Sequence, residues 1–417
     1  MSHQVKTIKW IIWCLAVAFY FYEFIARVLP SVMIEQLMIA LVATAETIGF
    51  VSGIYFYAYS PMQIPVGVLF DRFGPRKILI FASLVCGFGV LFFGLSTHVW
   101  EAAIGRLFTG LGSAFAFVGM VYITSQWFRG ERLALLIGIA NAIAMIGAAG
   151  GEGPISVVEE VIGWRTTVIS LGIIGFILAY LFYWILKKAP HGLHEHTKTV
   201  PSFIESFKSF KCVVKDRFIW INGIGSLFFY ATTSGFAALW GVSFLQHTHQ
   251  MNRNQASFAN SMIYIGWLVG GPLIGYFSDL VKKRKPFLLI FSFLGFLVMV
   301  PLIYVPHLSK SIVIFLLFGI GFFSSAQLLN FSFAIERHKA EETGSAVAFT
   351  NFLVTLGGAI FQPLVGFLLD LSWTGTVKDD IREYSFSDFQ MAVTIFPLSF
   401  LLSFAFTLFL KEEIEVV

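Results

Sequence analysis

The chain carries about a dozen runs of roughly 20 apolar residues, one after another, each long enough to cross a ~30 Å hydrocarbon core as a helix. No other feature narrows the possible folds as far. In a bilayer every backbone N–H and C=O must be satisfied within the protein, so spans of this length can only be helices. Composition agrees: 57% of the residues are hydrophobic and 12% charged, against about 25% charged in an ordinary soluble domain. The expected spans are 8–33, 44–70, 77–97, 99–127, 131–155, 163–187, 217–246, 255–280, 285–306, 310–335, 343–371 and 387–411. The first lacks a small-residue cleavage site after a short apolar core, and reads as a retained span and not as a leader peptide.

The positive charges follow topology. Of 28 Lys and Arg, only Arg165, Arg253, Lys310, Lys378 and Arg382 fall in the loops of one side, while Arg27 and Arg106 lie within spans. The remainder cluster in the tails and loops of the other side, which the positive-inside rule makes cytoplasmic together with both termini, in an inner or plasma membrane. The basic balance is therefore a topological signal and implies no nucleic-acid partner. Cys14, Cys86 and Cys212 are too scattered for a disulfide framework or a metal site. His191, His194 and His196 sit in a polar stretch that reads as a linker before it reads as a metal site. No metal and no cofactor is expected.

An internal repeat organises the spans. Gly67 to Lys77 reads GVLFDRFGPRK and Gly275 to Lys285 reads GYFSDLVKKRK, each with a Gly, an Asp four residues on and a basic cluster ending in Lys. The fold class expected is an all-α membrane protein of twelve transmembrane helices in two pseudo-symmetric six-helix bundles, 1–190 and 215–417, joined by a cytoplasmic linker at 191–214. The first of these loops resembles the signature G-x-L-x-D-R-x-G-R-K of the major facilitator superfamily. GRLFTGLG, from Gly105 to Gly112, is similar to the fourth-helix pattern of the same family. The copy at Asp279 lacks the Arg and Gly that follow Asp71. The resemblance implies that Gly67, Asp71, Arg72, Gly74 and Arg76, with Asp279 in the repeat, form a latch on the cytoplasmic side, and that Gly344 marks the helix end facing Asp71. The fifth span is rich in glycine but does not match the antiporter signature of the family in order.

The first span holds the sharpest feature. Burying an isolated charge at mid-membrane costs at least ~2.5–3.5 kcal/mol, yet Glu23 and Arg27 lie there four residues apart. Tyr20, Glu23 and Arg27 share one helical face. The pair is either an inert internal ion pair or part of a binding cavity, and the resemblance favours the second, because the first helix of each half lines the central cavity in that family. Arg106 is a third deep charge: the family's Arg at this place takes part in proton coupling or substrate contact, and the plainer reading is a buried Arg capped by backbone carbonyls. Glu23 is the best-placed protonatable group, with Arg106 beside it. The second half offers Tyr230, Thr233, Gln327, Asn330 and Asn351 toward the cavity. Tyr57 and Tyr59 are further candidates from a run of three tyrosines at spacing two, which cannot all share a face, so that one or two at most reach the cavity.

These features imply a secondary transporter working by alternating access on a small-molecule substrate, coupled to protons, embedded in lipid as a monomer. An acid and a base in one pocket suit a zwitterion, with Glu23 facing an ammonium and Arg27 a carboxylate, so an amino acid or short peptide is the first expectation. Some stretches resemble bacterial nutrient permeases for amino acids related to lysosomal dipeptide carriers. The alternative is an organic anion or siderophore transporter of the same fold. An enzyme is not expected, since the sequence shows no Walker A loop, no H-E-x-x-H and no Ser/His/Asp set.

Overall fold

A computed structural model describes residues 3–128, 132–187, 203–339, 342–378 and 381–412. Eleven helical segments are long and apolar enough to cross a membrane, and the pair Ile34–Leu41 and Ala45–Met62, bent by 108°, makes a twelfth. The first span, His3–Val28, runs on through a 3-10 turn at Leu29–Val32, where Pro30 ends the regular helix. The second is Ala45–Met62 and continues into the start of Val66–Leu95. Gly74, at φ 75°, turns the chain there into the third span, a conformation that glycine adopts without strain. The fourth is Val99–Ser113 with Ala116–Trp127, the fifth Arg132–Ile162 and the sixth Trp164–Lys187.

The second half repeats the pattern. Its seventh span is Arg217–Ala231, a π-helical stretch at Thr232–Trp240, and Gly241–His249. The eighth is Arg253–Val281 and the ninth Lys285–Tyr304. The tenth is Lys310–Ser324 with Leu329–Arg337, the eleventh Thr343–Ser372 and the twelfth Phe386–Val393 with Ile395–Leu408. A two-stranded hairpin, Val377–Lys378 against Ile381–Arg382, lies between the last two.

Part of the expected linker is helical: Phe203–Lys215 forms a helix that packs Phe210, Val213 and Val214 against Ile219, Phe349 and Leu353. His191, His194 and His196 lie outside the described residues. Among the described residues no cluster of His, Cys, Asp or Glu could hold a metal ion.

The loops rich in Lys and Arg share one end of the bundle, called here the basic end. At the opposite, far end the halves meet through the second span against the eleventh and the fifth against the eighth. Small residues set these contacts, as expected where lipid supplies no hydrophobic drive and close backbone approach must. A Cβ on Gly366 would collide with the Ala45 carbonyl, and one on Gly49 would press on Gln362 and Pro363. At the basic end, among the described residues, a Cβ on Gly67, Gly74, Gly275 or Gly344 would meet nothing within 4 Å. The tight glycine contacts between the halves thus lie at the far end.

The latch residues follow from this. Arg72 stacks on Phe73 and Arg76 on Tyr183 of the sixth span, while Gly344, the expected neighbour of Asp71, stands clear. In the repeat Asp279 pairs with Arg284 at 2.5 Å, and Arg284 also reaches Glu336 at 2.7 Å. The arginine missing directly after Asp279 is thus supplied five residues later.

Within each half glycines also seat the spans. A Cβ on Gly321 would strike the Ile263 backbone, whereas one on Gly275 meets nothing. Gly321→Val is expected to lower unfolding stability by about 1–3 kcal/mol through overpacking, and Gly275→Val to leave it near the parent, as read by thermal unfolding of both variants in detergent.

Candidate functional site

Midway along the bundle the first span presents Glu23 and Arg27, 0% and 5% exposed. The i, i+4 spacing places both on one face. Arg27 pairs with Glu23 through its Nη2 and donates from Nε at 3.0 Å. The Tyr55 hydroxyl of the second span donates to the same Glu23 oxygen, Oε1, at 2.6 Å. All three donors converge on Oε1, and Glu23 Oε2 is buried with no hydrogen-bond partner among the described residues. Charge-assisted bonds of this kind offset part of the cost of desolvating the pair.

Aromatic faces close around the guanidinium. Arg27 lies 4.5 Å from the Phe24 ring centre and 4.7 Å from that of Tyr59, contacts that favour a desolvated cation. Its Nη1 points at the Tyr230 hydroxyl of the seventh span, 3.5 Å away, so the cluster bridges the two halves. Tyr230 stacks edge-on against Trp267, whose indole N–H donates to Thr233 at 2.9 Å. Tyr20 is buried beside the pair and donates to Asn141 of the fifth span at 3.0 Å. The π-helical stretch of the seventh span begins two residues after Tyr230. Such insertions offset the face of a helix and are frequent at functional sites.

Arg106 serves the same turn from behind. Its Nη1 and Nη2 donate to the carbonyls of Ala26 and Arg27 at 2.8 and 3.1 Å, and its guanidinium lies 4.9 Å from the Tyr55 ring centre. Those carbonyls stand where the first helix gives way to the 3-10 turn and loses regular bonding. The geometry is that of a buried arginine holding backbone and not of one facing the ion pair.

The other expected residues divide. Gln327 donates to Ser226 at 2.8 Å, and Asn330 exchanges bonds with Asn222, both within the second half. Asn351 donates across the halves to Gln63 at 2.9 Å. Tyr57 is 49% exposed, on the face of the second span that also carries Phe50, and does not join the cluster. Tyr59, the other candidate of that run, does join it, with Tyr55 stacked on it at 5.5 Å. Their face also carries Ser52 and the buried Phe56, and the i, i+4 relation of the two rings was the available signal.

A second buried acid stands nearer the far end. Glu152 of the fifth span, 0% exposed, accepts from Asn260 of the eighth span at 2.6 Å and from Ser31 at 3.2 Å. Further out Glu159 meets Arg253 at 3.0 Å and Glu160 meets Asn254. This antiparallel ladder fastens the fifth span to the eighth.

A twelve-span helical bundle in two repeats, with a charged cluster buried where the halves meet, defines a polytopic membrane carrier. The chain belongs to the Major Facilitator Superfamily, whose family profile matches residues 11–362. Among similar proteins, "Probable sulfoacetate transporter SauU" of Cupriavidus necator is 25% identical over 298 residues, covering 68% of each chain. "Probable L-galactonate transporter" of Escherichia coli is 23% identical, covering 78% of this chain and 76% of that one. "Membrane sensor protein UhpC" of Salmonella typhimurium is 23% identical, over 80% and 79%. The fold matches an inward-facing, occupied crystal structure of a bacterial homologue of the human lysosomal transporter Spinster, with TM-score 0.75, 14% identity and coverage of 98% of this chain and 96% of that one.

Arg106→Lys keeps a charge but cannot reach two carbonyls from one planar fork. Thermal unfolding of the purified variant is expected to show a loss of about 1–3 kcal/mol, the cost of leaving a buried acceptor unpaired. Unchanged stability would remove the structural role of Arg106.

Proposed function

We propose that this carrier moves a small carboxylate-bearing solute, first an amino acid or short peptide, by alternating access, with a proton carried on Glu23. The observation that supports this reading is the uneven use of Glu23: Oε1 takes every donor, and Oε2 is left without one. A substrate carboxylate that draws Arg27 toward itself removes the charge that balances Glu23. Breaking a buried pair in this way costs about 3–5 kcal/mol unless the remaining charge is met. A proton on Oε2 meets it, so substrate and proton favour each other's binding, which is the linkage that symport needs. A substrate ammonium has the Tyr59 and Tyr230 rings and hydroxyls within reach.

The second reading, an organic anion, draws on the relatives named for sulfoacetate and L-galactonate. It uses the same Arg27 and the same proton and differs only in having no ammonium. Both readings place the basic end in the cytoplasm, on the bias of Lys and Arg, and take the protein to act as a monomer in an inner or plasma membrane.

Counterflow in proteoliposomes with labelled amino acids, dipeptides and small organic acids separates the readings, since the loaded solute that exchanges is the substrate. If no solute bearing a carboxylate exchanges, both fail. On the identified solute, Glu23→Gln is expected to abolish accumulation driven by a pH gradient while exchange persists. A Gln variant that still concentrates substrate would exclude Glu23 as the coupling group.

Arg27→Lys retains charge and loses the planar fork that grips a carboxylate with two bonds. Substrate affinity is expected to fall by about tenfold or more, the weight of one charge-assisted bond, in a binding titration. An unchanged affinity would leave the Glu23 and Arg27 pair as an inert structural bridge.

A further inference from the structure

We infer that Asp370 is a gating residue of the transport cycle: it caps the start of the second span from the opposite half and holds the far end shut, in alternation with Asp71 at the basic end.

The second and eleventh spans run antiparallel across the interface, so the end of each lies beside the start of the other. Asp370 stands two residues before the end of the eleventh, Thr343–Ser372. Its Oδ2 accepts from the backbone N–H of Glu46 at 3.0 Å. The Tyr384 hydroxyl donates to Asp370 Oδ1 and accepts from the N–H of Ala45, at 3.2 Å for the latter. Arg382 of the hairpin pairs with Oδ1 at 3.0 Å.

Ala45 and Glu46 open the helix Ala45–Met62, and its own cap residue, Thr44, takes the N–H of Thr47. The first N–H groups of a helix have no partner within it and carry its positive end. Here two of them are satisfied from the other half of the protein. The glycine seam beneath makes this possible: Gly49 and Gly53 lie against Gln362 and Pro363, Gly358 against Phe56, and Gly366 against Ala45 and Glu46.

The basic end holds the same parts with the partners exchanged. Asp71 lies near the end of the second span, and the start of the eleventh is the acceptor site. The residue at that helix start, Glu342, gives no side-chain cap, and Gly344 in its first turn and Gly67 opposite both face open space. Asp71 lies near Tyr122 of its own half. Each span thus carries a carboxylate near the start of the other, and in this proposal rocking of the halves closes one cap as it opens the other. The closed cap decides which end is shut.

The test reads distances between spin labels in lipid nanodiscs, with Cys14, Cys86 and Cys212 replaced. One pair, at Val42 and Val305, both exposed and outside the hairpin, reports the far end, and another, at Phe73 and Lys339, reports the basic end. Asp370→Ala is expected to raise the ratio of far-open to far-closed molecules about fivefold, as the loss of one helix cap of ordinary strength would, with the basic-end pair drawing together. Glu46→Pro removes the N–H that Asp370 accepts, in a first turn where proline is tolerated, and is expected to act in the same direction with Asp370 intact. Asp71→Asn is expected to act in the opposite direction. Arg382→Ala releases the hairpin and keeps the cap, and is expected to shift the ratio by less than half as much.

Parental distances in both Asp370→Ala and Glu46→Pro would overturn the inference, as would an Arg382→Ala shift as large as theirs. The inference rests on the alternating-access reading above, and the labels keep the two failures apart. A parent fixed in one population at both ends, whatever the solute and pH, contradicts alternation itself, whereas a parent that alternates and ignores Asp370 contradicts only the cap.

Discussion

A carboxylate and a guanidinium held four residues apart inside a membrane helix set the terms for the rest of the structure. The pair is tolerable only if each charge keeps the other and the remaining polar atoms find partners. Tyr55 and the rings of Phe24 and Tyr59 meet most of that demand around Arg27. Arg106 secures the carbonyls of the same turn, so the helix can break just beyond Arg27 without leaving its backbone unbonded. Among the described residues of this cluster, Glu23 Oε2 and Arg106 Nε stay without a hydrogen-bond partner, and only the first belongs to the ion pair. A site that is almost neutral and almost satisfied is one that a solute or a proton can tip.

The interface around this site is built to come apart. The second and eleventh spans meet through glycines, which bury little side-chain surface and lock few side chains. The fifth and eighth meet through a ladder of acids against Asn, Ser and Arg, groups that water can solvate once the halves part. The two spans of the glycine seam carry the alternating caps because their close, antiparallel approach brings helix ends to carboxylates.

The spans, the two halves and the ion pair were legible in the sequence because each rests on local spacing: apolar run length, a repeated Gly and Asp, an i, i+4 relation. What eluded it depends on distant partners. Tyr55, not Tyr57, bonds Glu23: the i, i+4 spacing puts Tyr55 and Tyr59 on one face, and only the second span set against the first makes that face the inner one. Arg106 was open to two roles, and only the position of the Ala26 and Arg27 carbonyls shows which atoms it meets. Gln327 and Asn330 spend their amides on Ser226 and Asn222 inside one half, partners more than a hundred residues away in the chain. The bond from Glu46 to Asp370 joins residues 324 apart, and no motif announces it. The partner of Asp279 is the arginine at the other end of the same loop: Arg284, which occupies the place of Arg76 in the first copy.

The most direct measure of the central claim is the number of protons taken up when substrate binds. Purified protein in weakly buffered solution, with a pH-sensitive dye, reports that uptake on addition of the solute found by exchange. If Arg27 passes from Glu23 to a substrate carboxylate, about one proton is taken up per molecule bound, as linkage requires, and the Glu23→Gln protein takes up none. Binding without proton uptake by the parent, or equal uptake by the Gln variant, would contradict it.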